Sequence, residues 1–429
     1  MSVRKRKWTT AKGIQREAWL VDYTDQHGKR HAKTFDRKKD ADAYASATDV
    51  EVRGNSHVAD SDTITVEEAG KLWVKRAVDE LERGTADQYG QHLNLHIIPF
   101  IGKLKLSKIT VPAVRKFMDD LTAAGRSTPM VKGVRTSLGS IIAEAQERGY
   151  VVRNAVRDMS NNRKGKTDGA KRRKAKLIVG EHIPTREEIQ LFLGELSKST
   201  SNYRVMIITA IFTGMRASEL RGLRWADVDL EGRRIRITQR ADKYNKIGMP
   251  KSEAGQRTIP MFPMVFNTLT EWKEKCPRKK EKGTGKLLPL EFVFPNGQGN
   301  VESHSNILQR GLWAPQIAAG VVREERPVDA AGKPQLDDHG YEIVIIKAKY
   351  PGLHALRHWF ASWCINSKAR GGRGMTPKEV QDILGHSTIG LTLDTYGHLF
   401  KDHSDNDALA EAEAALLTPV SATQTQHAV

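Results

Sequence analysis

The patterning of this 429-residue chain predicts a multidomain α+β protein. It should hold a small N-terminal β-sheet plus helix, then an all-α unit, then a mostly helical domain with a small antiparallel sheet. Three observations carry this. Residues 17–35 alternate apolar and polar in the manner of strands. Two capping boxes, Thr65-Val-Glu-Glu68 and Thr185-Arg-Glu-Glu188, each open a run of helical periodicity. Within the second run, RRIRIT (233–238) and QRTIPM (256–261) read as strands. A prior of about 150 residues per domain agrees with roughly three domains.

Taken in order, AWLVDY, a turn at DQHG (25–28) and KRHAKTF form a β-hairpin, Gly28 supplying the positive φ such turns need. DRKKDADAYASATDVEV (36–52) reads as a helix. From Thr65 to about residue 155 the chain is helical, with Met130, Val134, Leu138, Ile141 and Ala145 on one face of a helix preceded by Ser127. NNRKGKTDGAKRRKAK (161–176) carries basic residues at 163, 164, 166, 171–174 and 176 against one Asp168, and reads as an extended linker. KCPRKKEKGTGK (275–286) is a loop, and the turn-rich stretch 322–342 looks like an inserted excursion. The tail 402–417 has an amphipathic pattern, with Leu409, Ala412 and Leu416 along one side.

Lys and Arg number 69 against 51 Asp and Glu, a net charge of +18. An excess of this size points to a polyanion, most often nucleic acid, because binding releases condensed counterions. An anionic membrane surface is the competing partner. The longest apolar run, VMIITAIF (205–212), is far short of the roughly 20 residues that span a bilayer, so no membrane is expected. The basic start lacks an apolar segment behind it, unlike a secretory signal. Two cysteines, Cys276 and Cys364, make no disulfide framework or metal spacing. The expectation is a cytoplasmic protein.

Four motifs bear on chemistry. TGMRASELRGLRW (213–225) ends one helix at Gly214 and sets Arg216 at the start of the next. A cation is badly placed there for helix stability, and well placed if an anion sits against it. HALRHWFASW (354–363) puts His354, Arg357 and His358 on one helix face. A zinc helix of the HExxH type would need glutamate where Ala355 stands, so a phosphate suits this face better than a metal. TPKEVQDILGHS (376–387) is a capped helix that Gly385 ends, holding His386 at a rigid exit. Tyr396 follows in LTLDTYGH (391–398).

In this order and near these distances, TGMRASEL, HALRH, LGHS and DTYGH resemble the signature of the tyrosine recombinases, the phage-integrase family. The resemblance is strong over roughly 183–402. It implies an arm-type DNA-binding domain at 1–60, a helical core-binding domain at 62–158, a basic linker at 159–182, a catalytic domain at 183–402 and a C-terminal tail at 403–429. It implies that Arg216 and Arg357 bind the scissile phosphate with His354 and His386 beside them, and that Tyr396 is the nucleophile. It further implies that Glu219 occupies an acidic position that braces the site. Lys251 falls where the family places a hairpin lysine, although Lys243 and Lys246 lie nearby. The implied partners are double-stranded DNA attachment sites and three further copies of the chain, in a homotetramer on DNA. A host DNA-bending protein and an excision factor stay open, as does whether the tail docks on its own domain or a neighbour's.

The chemistry supports this independently. Attack on a phosphodiester gathers negative charge on the non-bridging oxygens, which two forked, permanently charged guanidiniums can hold. Tyrosine, with a reference pKa near 10, is only about one part in a thousand ionised at neutral pH, and nearby cations help the phenolate form. The leaving 5′-oxygen needs a proton, which a lysine can supply. The 3′-phosphotyrosyl link conserves the bond energy, so no cofactor and no metal are required. A non-catalytic DNA-binding regulator would explain the charge but not the constellation. A metal-dependent nuclease would need clustered carboxylates, and a type IB topoisomerase would share the chemistry.

Overall fold

The computed structural model describes residues 1–9, 15–54, 57–59, 61–160, 176–329, 333–368, 371–400 and 417. The basic stretch 161–175 and the expected tail helix up to 416 lie outside the described residues. The chain divides into two units at 168/169. No helix among the described residues is long and apolar enough to cross a membrane.

The first unit opens with an antiparallel sheet in the order β1 (Ser2–Thr9), β2 (Gln15–Thr24), β3 (Arg30–Phe35). The expected hairpin is β2–β3, turning where Gly28 has φ +82 and the Asp25 carboxylate accepts from the backbone N–H groups of His27 and Lys29. Strand β1 is a correction to the reading of the start as merely basic. Almost every β1 side chain is exposed, so no apolar alternation betrays it, and eight residues nonetheless pair with β2 from Ser2 opposite Asp22 to Thr9 opposite Gln15. Helix α1 (Lys38–Arg53) buries Ala41 and Ala45 against Val21 and Tyr23 of the sheet.

A second core in this unit is all-helical. The Thr65–Glu68 capping box starts α2 (Val66–Glu80), with each side chain bonded to the other's backbone N–H. Then come α3 (Arg83–Gln91), a π-helical turn leading to α4 (Ile98–Ile101), α5 (Val111–Ala123), α6 (Thr128–Glu147) and α7 (Ala155–Ser160). Val134, Leu138, Ile141 and Ala145 of α6 are buried as expected, but Met130 is exposed, because the apolar stripe begins one residue later at Val131. Ser127 takes the cap position without a side-chain cap bond.

In the second unit the Thr185–Glu188 box opens α8 (Arg186–Lys198). Helix α9 (Asn202–Thr213) is apolar all round and buried, and it ends on left-handed Gly214 at φ +61. The short α10 (Ala217–Gly222) follows. The expected strands are β5 (Arg234–Ile237) and β8 (Arg257–Pro260), in a sheet of order β4 (Val228–Asp229), β5, β8. A hairpin of β6 (Arg240–Ala241) and β7 (Ile247–Gly248) lies between them in sequence. After α11 (Pro263–Lys275), α12 (His304–Asn306) and α13 (Ala314–Ala318), the excursion proves to be an exposed ribbon. Its base pairs β9 (Val322–Glu325) with β10 (Ile345–Ala348). Helices α14 (His354–Ile365), α15 (Pro377–Leu384) and α16 (Ile389–Tyr396) complete the unit. Its core joins Ile207, Leu220, Ile235, Ile259, Leu356, Phe360 and Leu384.

Candidate phosphodiester site

Helix α15 ends on Gly385 in the left-handed region at φ +67. The last carbonyls of a helix have no intrahelical partner and carry the negative end of its dipole. Here three successive carbonyls each accept from a different arginine. Arg257 Nε donates to Ile383 at 2.7 Å, Arg357 Nη2 to Leu384 at 2.7 Å, and Arg216 Nη2 to Gly385 at 3.0 Å. Arg357 also donates to the Gly214 carbonyl at 2.7 Å, tying together the ends of α9 and α15. Both helices end on glycine for a local reason. A Cβ at Gly214 would meet Phe360 Cδ1 at 2.5 Å, and one at Gly385 would meet the Ala254 carbonyl at 2.8 Å.

Glu219 neutralises part of this cationic group from below. It is 2% exposed, accepts from Arg216 Nη1 at 2.7 Å and takes both oxygens to Arg257. Its second oxygen also accepts from the Arg216 backbone N–H, capping α10. Burial alone would lift the Glu219 carboxyl, but Arg257, then Arg216, hold it below its ordinary value. Burial, with the neighbouring Arg216 and Arg257, pushes Arg357 down to about 9, which leaves it charged at neutral pH.

Tyr396 ends α16 and is 1% exposed. Burial pushes its hydroxyl up to about 12, opposed by the fields of Arg357 and Arg216. Its ring lies nearly parallel to that of His386, with centroids 6.3 Å apart and planes at 8°. His386 is buried, its Nδ1 2.9 Å from Thr392 Oγ1, and burial followed by Arg357 and Arg216 lowers it to about 4. His354 stands edge-on to His358, ring centroids 4.5 Å apart, and is itself lowered by burial and then by Arg357 and Arg216. His358 Nδ1 lies 2.7 Å from Tyr396 Oη. Burial, then the charges of His354 and Arg357, brings His358 down to about 3.

Of the six residues expected in the site, the fold gathers Arg216, His354, Arg357, His386 and Tyr396, all from one chain. Lys251 is exposed on the turn between β7 and β8, and none of the described contacts joins it to the other five. Lys243 lies over the Tyr244 ring at 4.8 Å. One participant escaped the sequence reading, and another has a partner that the sequence did not show. Arg257 shares the strand parity of buried Ile259, and a cation on the core side of a strand demands a carboxylate. His358 was placed on the phosphate-facing side of α14, whereas its Nδ1 meets the phenol.

This arrangement offers guanidiniums for an anion, neutral imidazoles for proton transfer and a phenol as nucleophile. Residues 184–403 match the phage integrase family and 65–122 match the phage integrase N-terminal SAM-like domain. The chain is 24% identical over 410 residues to a XerC-like tyrosine recombinase of Caldanaerobacter subterraneus subsp. tengcongensis, covering 89% of this chain and 92% of that one. It is 27% identical over 218 residues to the transposase of transposon Tn916 from Enterococcus faecalis, about half of each chain (49% and 46%). The fold resembles the Tn1549 transposon integrase in complex with a circular intermediate DNA, at TM-score 0.56 and 19% identity over 82% of this chain and 100% of that one. It also resembles a lambda integrase tetramer bound to a Holliday junction, at TM-score 0.50 and 17% identity over 89% and 95%. The chain therefore belongs to the phage integrase family, the tyrosine recombinases that cleave and rejoin DNA strands at specific sites.

Proposed function

We propose that this chain integrates and excises a phage or transposon-like element, with Tyr396 attacking the scissile phosphodiester and Arg216 and Arg357 gripping its non-bridging oxygens. The phenol forms a 3′-phosphotyrosyl bond as the 5′-oxygen leaves. His354 and His386 line the same phosphate, and Lys251, on its exposed turn, swings in to protonate the leaving oxygen. The observation that carries this reading is the joint position of the two guanidiniums and the phenol in one subunit. Their charges act directly on the Tyr396 hydroxyl.

The partners follow from the chemistry. Exchange joins four strands, so the active assembly is a homotetramer on paired attachment sites, and the protein works in the cytoplasm. Residues 1–60 form the arm-binding domain, whose first strand presents Arg4, Arg6 and Lys7 outward. The helices of 62–158 clasp the core site, and 183–402 carry the chemistry. A host DNA-bending protein and an excision factor complete the assembly.

The test uses a nicked suicide duplex carrying the flanks of the chain's own gene. Wild-type protein should become covalently attached, and Tyr396→Phe should bind equally well yet yield no adduct. A Tyr396→Phe protein that still traps DNA removes Tyr396 as the nucleophile.

A further inference from the structure

We propose that His358 is the proton acceptor for Tyr396 in strand cleavage and the donor that returns the proton on rejoining. The inference rests on Tyr396 being the nucleophile. Among the described contacts, His358 Nδ1 is the nitrogen that reaches the phenol, at 2.7 Å. Neither of the other two site histidines touches the phenol oxygen among the described contacts. His386 runs nearly parallel to the Tyr396 ring at a centroid distance of 6.3 Å, with its Nδ1 on Thr392 Oγ1. His354 turns its ring edgewise to His358. The three rings therefore form a file, with His358 between His354 and the phenol.

A base must begin deprotonated, and burial together with its charged neighbours holds His358 so. With the ring proton on Nε2, Nδ1 accepts the hydrogen bond from Tyr396. The facing groups are His354 and Arg357 on the same helix, His182 ahead of α8, His386 beyond α15 and Tyr396 on α16. Several of these are cationic or can become so, which makes His358 a weak base by itself. A phosphodiester held by Arg216 and Arg357 changes that balance. Its negative charge offsets the field of Arg357 and makes the imidazole more basic as the substrate arrives. Proton uptake is thereby coupled to phosphate binding.

The step balances. The Oη–H bond breaks and its proton passes to Nδ1 while the Oη–P bond forms. The P–O5′ bond breaks, its electron pair stays on O5′, and O5′ takes the proton assigned above to Lys251. In the reverse direction the attacking 5′-hydroxyl gives its proton back to Lys251 as the O5′–P bond forms and the Oη–P bond breaks, and the His358 imidazolium returns its proton to the departing phenolate, leaving the ring neutral for the next cycle.

His358→Asn discriminates between accepting a proton and merely holding the ring. The amide oxygen sits near the place of Nδ1 and can accept the phenol's hydrogen bond, yet it cannot carry the proton away. Single-turnover adduct formation on the suicide duplex is measured from pH 6 to 9.5, alongside thermal melting and DNA affinity. His358→Asn should be slowed by about 10²–10⁴ at pH 7, the usual range for general acid–base catalysis. Its rate should then climb about tenfold per pH unit, since only the spontaneously ionised phenol reacts. A His358→Asn rate within about threefold of wild type at pH 7, or a parallel pH profile, overturns the proposal in favour of holding alone. A second readout needs no variant: nitrogen-15 NMR of the imidazoles in the wild-type protein should find His358 Nδ1 unprotonated, and a proton on Nδ1 overturns the assignment. Tyr396→Phe runs in parallel. An adduct from Tyr396→Phe defeats the nucleophile reading itself, whereas no adduct there with normal His358→Asn defeats only the role of His358.

Discussion

Glu219 and Arg257 form a buried pair in which both carboxylate oxygens accept from one guanidinium, at 2.9 and 3.1 Å. Arg216 leans on the same carboxylate, so Glu219 is the counter-ion for two cations at once. Removing one member of a buried pair leaves the other charge uncompensated, a loss of about 3–5 kcal/mol. Glu219→Leu should lower the urea midpoint of the second unit accordingly, and adding Arg257→Met should recover part of the loss. A single variant with an unchanged midpoint would dissociate the pair from stability.

The site histidines predict how stability responds to acid. Burial, with neighbouring His354 and Arg357 for His358 and Arg357 and Arg216 for His386, depresses the two to about 3 and 4 in the fold, whereas an unfolded imidazole titrates near 6.5. Between these values the unfolded chain binds protons that the fold refuses. Stability must then fall as pH drops from about 6.5 towards 4, and be indifferent to these groups above about 7.5. Urea midpoints measured from pH 8 to 4.5 check this. His386→Gln should flatten the acid limb, and a slope identical to wild type would contradict it.

Gly385 has no room for a side chain. At φ +67 an alanine there is strained by about 1–3 kcal/mol, and its Cβ would press on the Ala254 carbonyl and on Arg257 Cδ at 2.9 Å. Gly385→Ala should melt earlier. It should also lose more cleavage than stability accounts for, since the carbonyl that anchors Arg216 must move. Normal single-turnover cleavage would show that the anchor is dispensable.

Arg357 bonds two carbonyls from separate helices through separate nitrogens. Lysine keeps the charge but not the fork. Arg357→Lys should keep DNA affinity and cut adduct formation by about 10² or more. EDTA should leave wild-type cleavage intact. Full activity in the lysine variant would put the phosphate elsewhere.

Lys251 sits exposed on a turn, so Lys251→Ala should leave melting within about 0.5 kcal/mol of wild type. If it protonates the leaving oxygen, the variant should be slow on ordinary DNA and fast on a duplex with sulfur in place of that 5′-oxygen, which leaves without a proton. Equal slowness on both substrates would assign Lys251 another task.

Much of the site was legible because its constraints are local. Capping boxes, helix-ending glycines and a histidine–arginine spacing of three residues each leave a sequence trace, and Arg216, Arg357, His386 and Tyr396 stand on or beside such features. Glu219 was marked only through the resemblance, as an acidic position that braces the site, and its tie to the Arg216 backbone N–H emerges from the fold. Arg257 was not legible, because its partner lies 38 residues away and only the strand's parity hinted that it points inward. His358 was seen on the correct helix face, but its partner belongs to a helix that only the fold brings near. Strand β1 hid for a different reason. An edge strand exposed along its length is held by main-chain hydrogen bonds and needs no apolar alternation.

The closing turn of α15 offers the three arginines nothing but main-chain oxygen. Every amino acid owns that atom, so the side chains at 383 and 384 are free to drift among apolar residues without loosening the grip. What heredity must guard at this spot is the path of the backbone rather than the identity of those two residues, and the single glycine that steers it matters more than either neighbour.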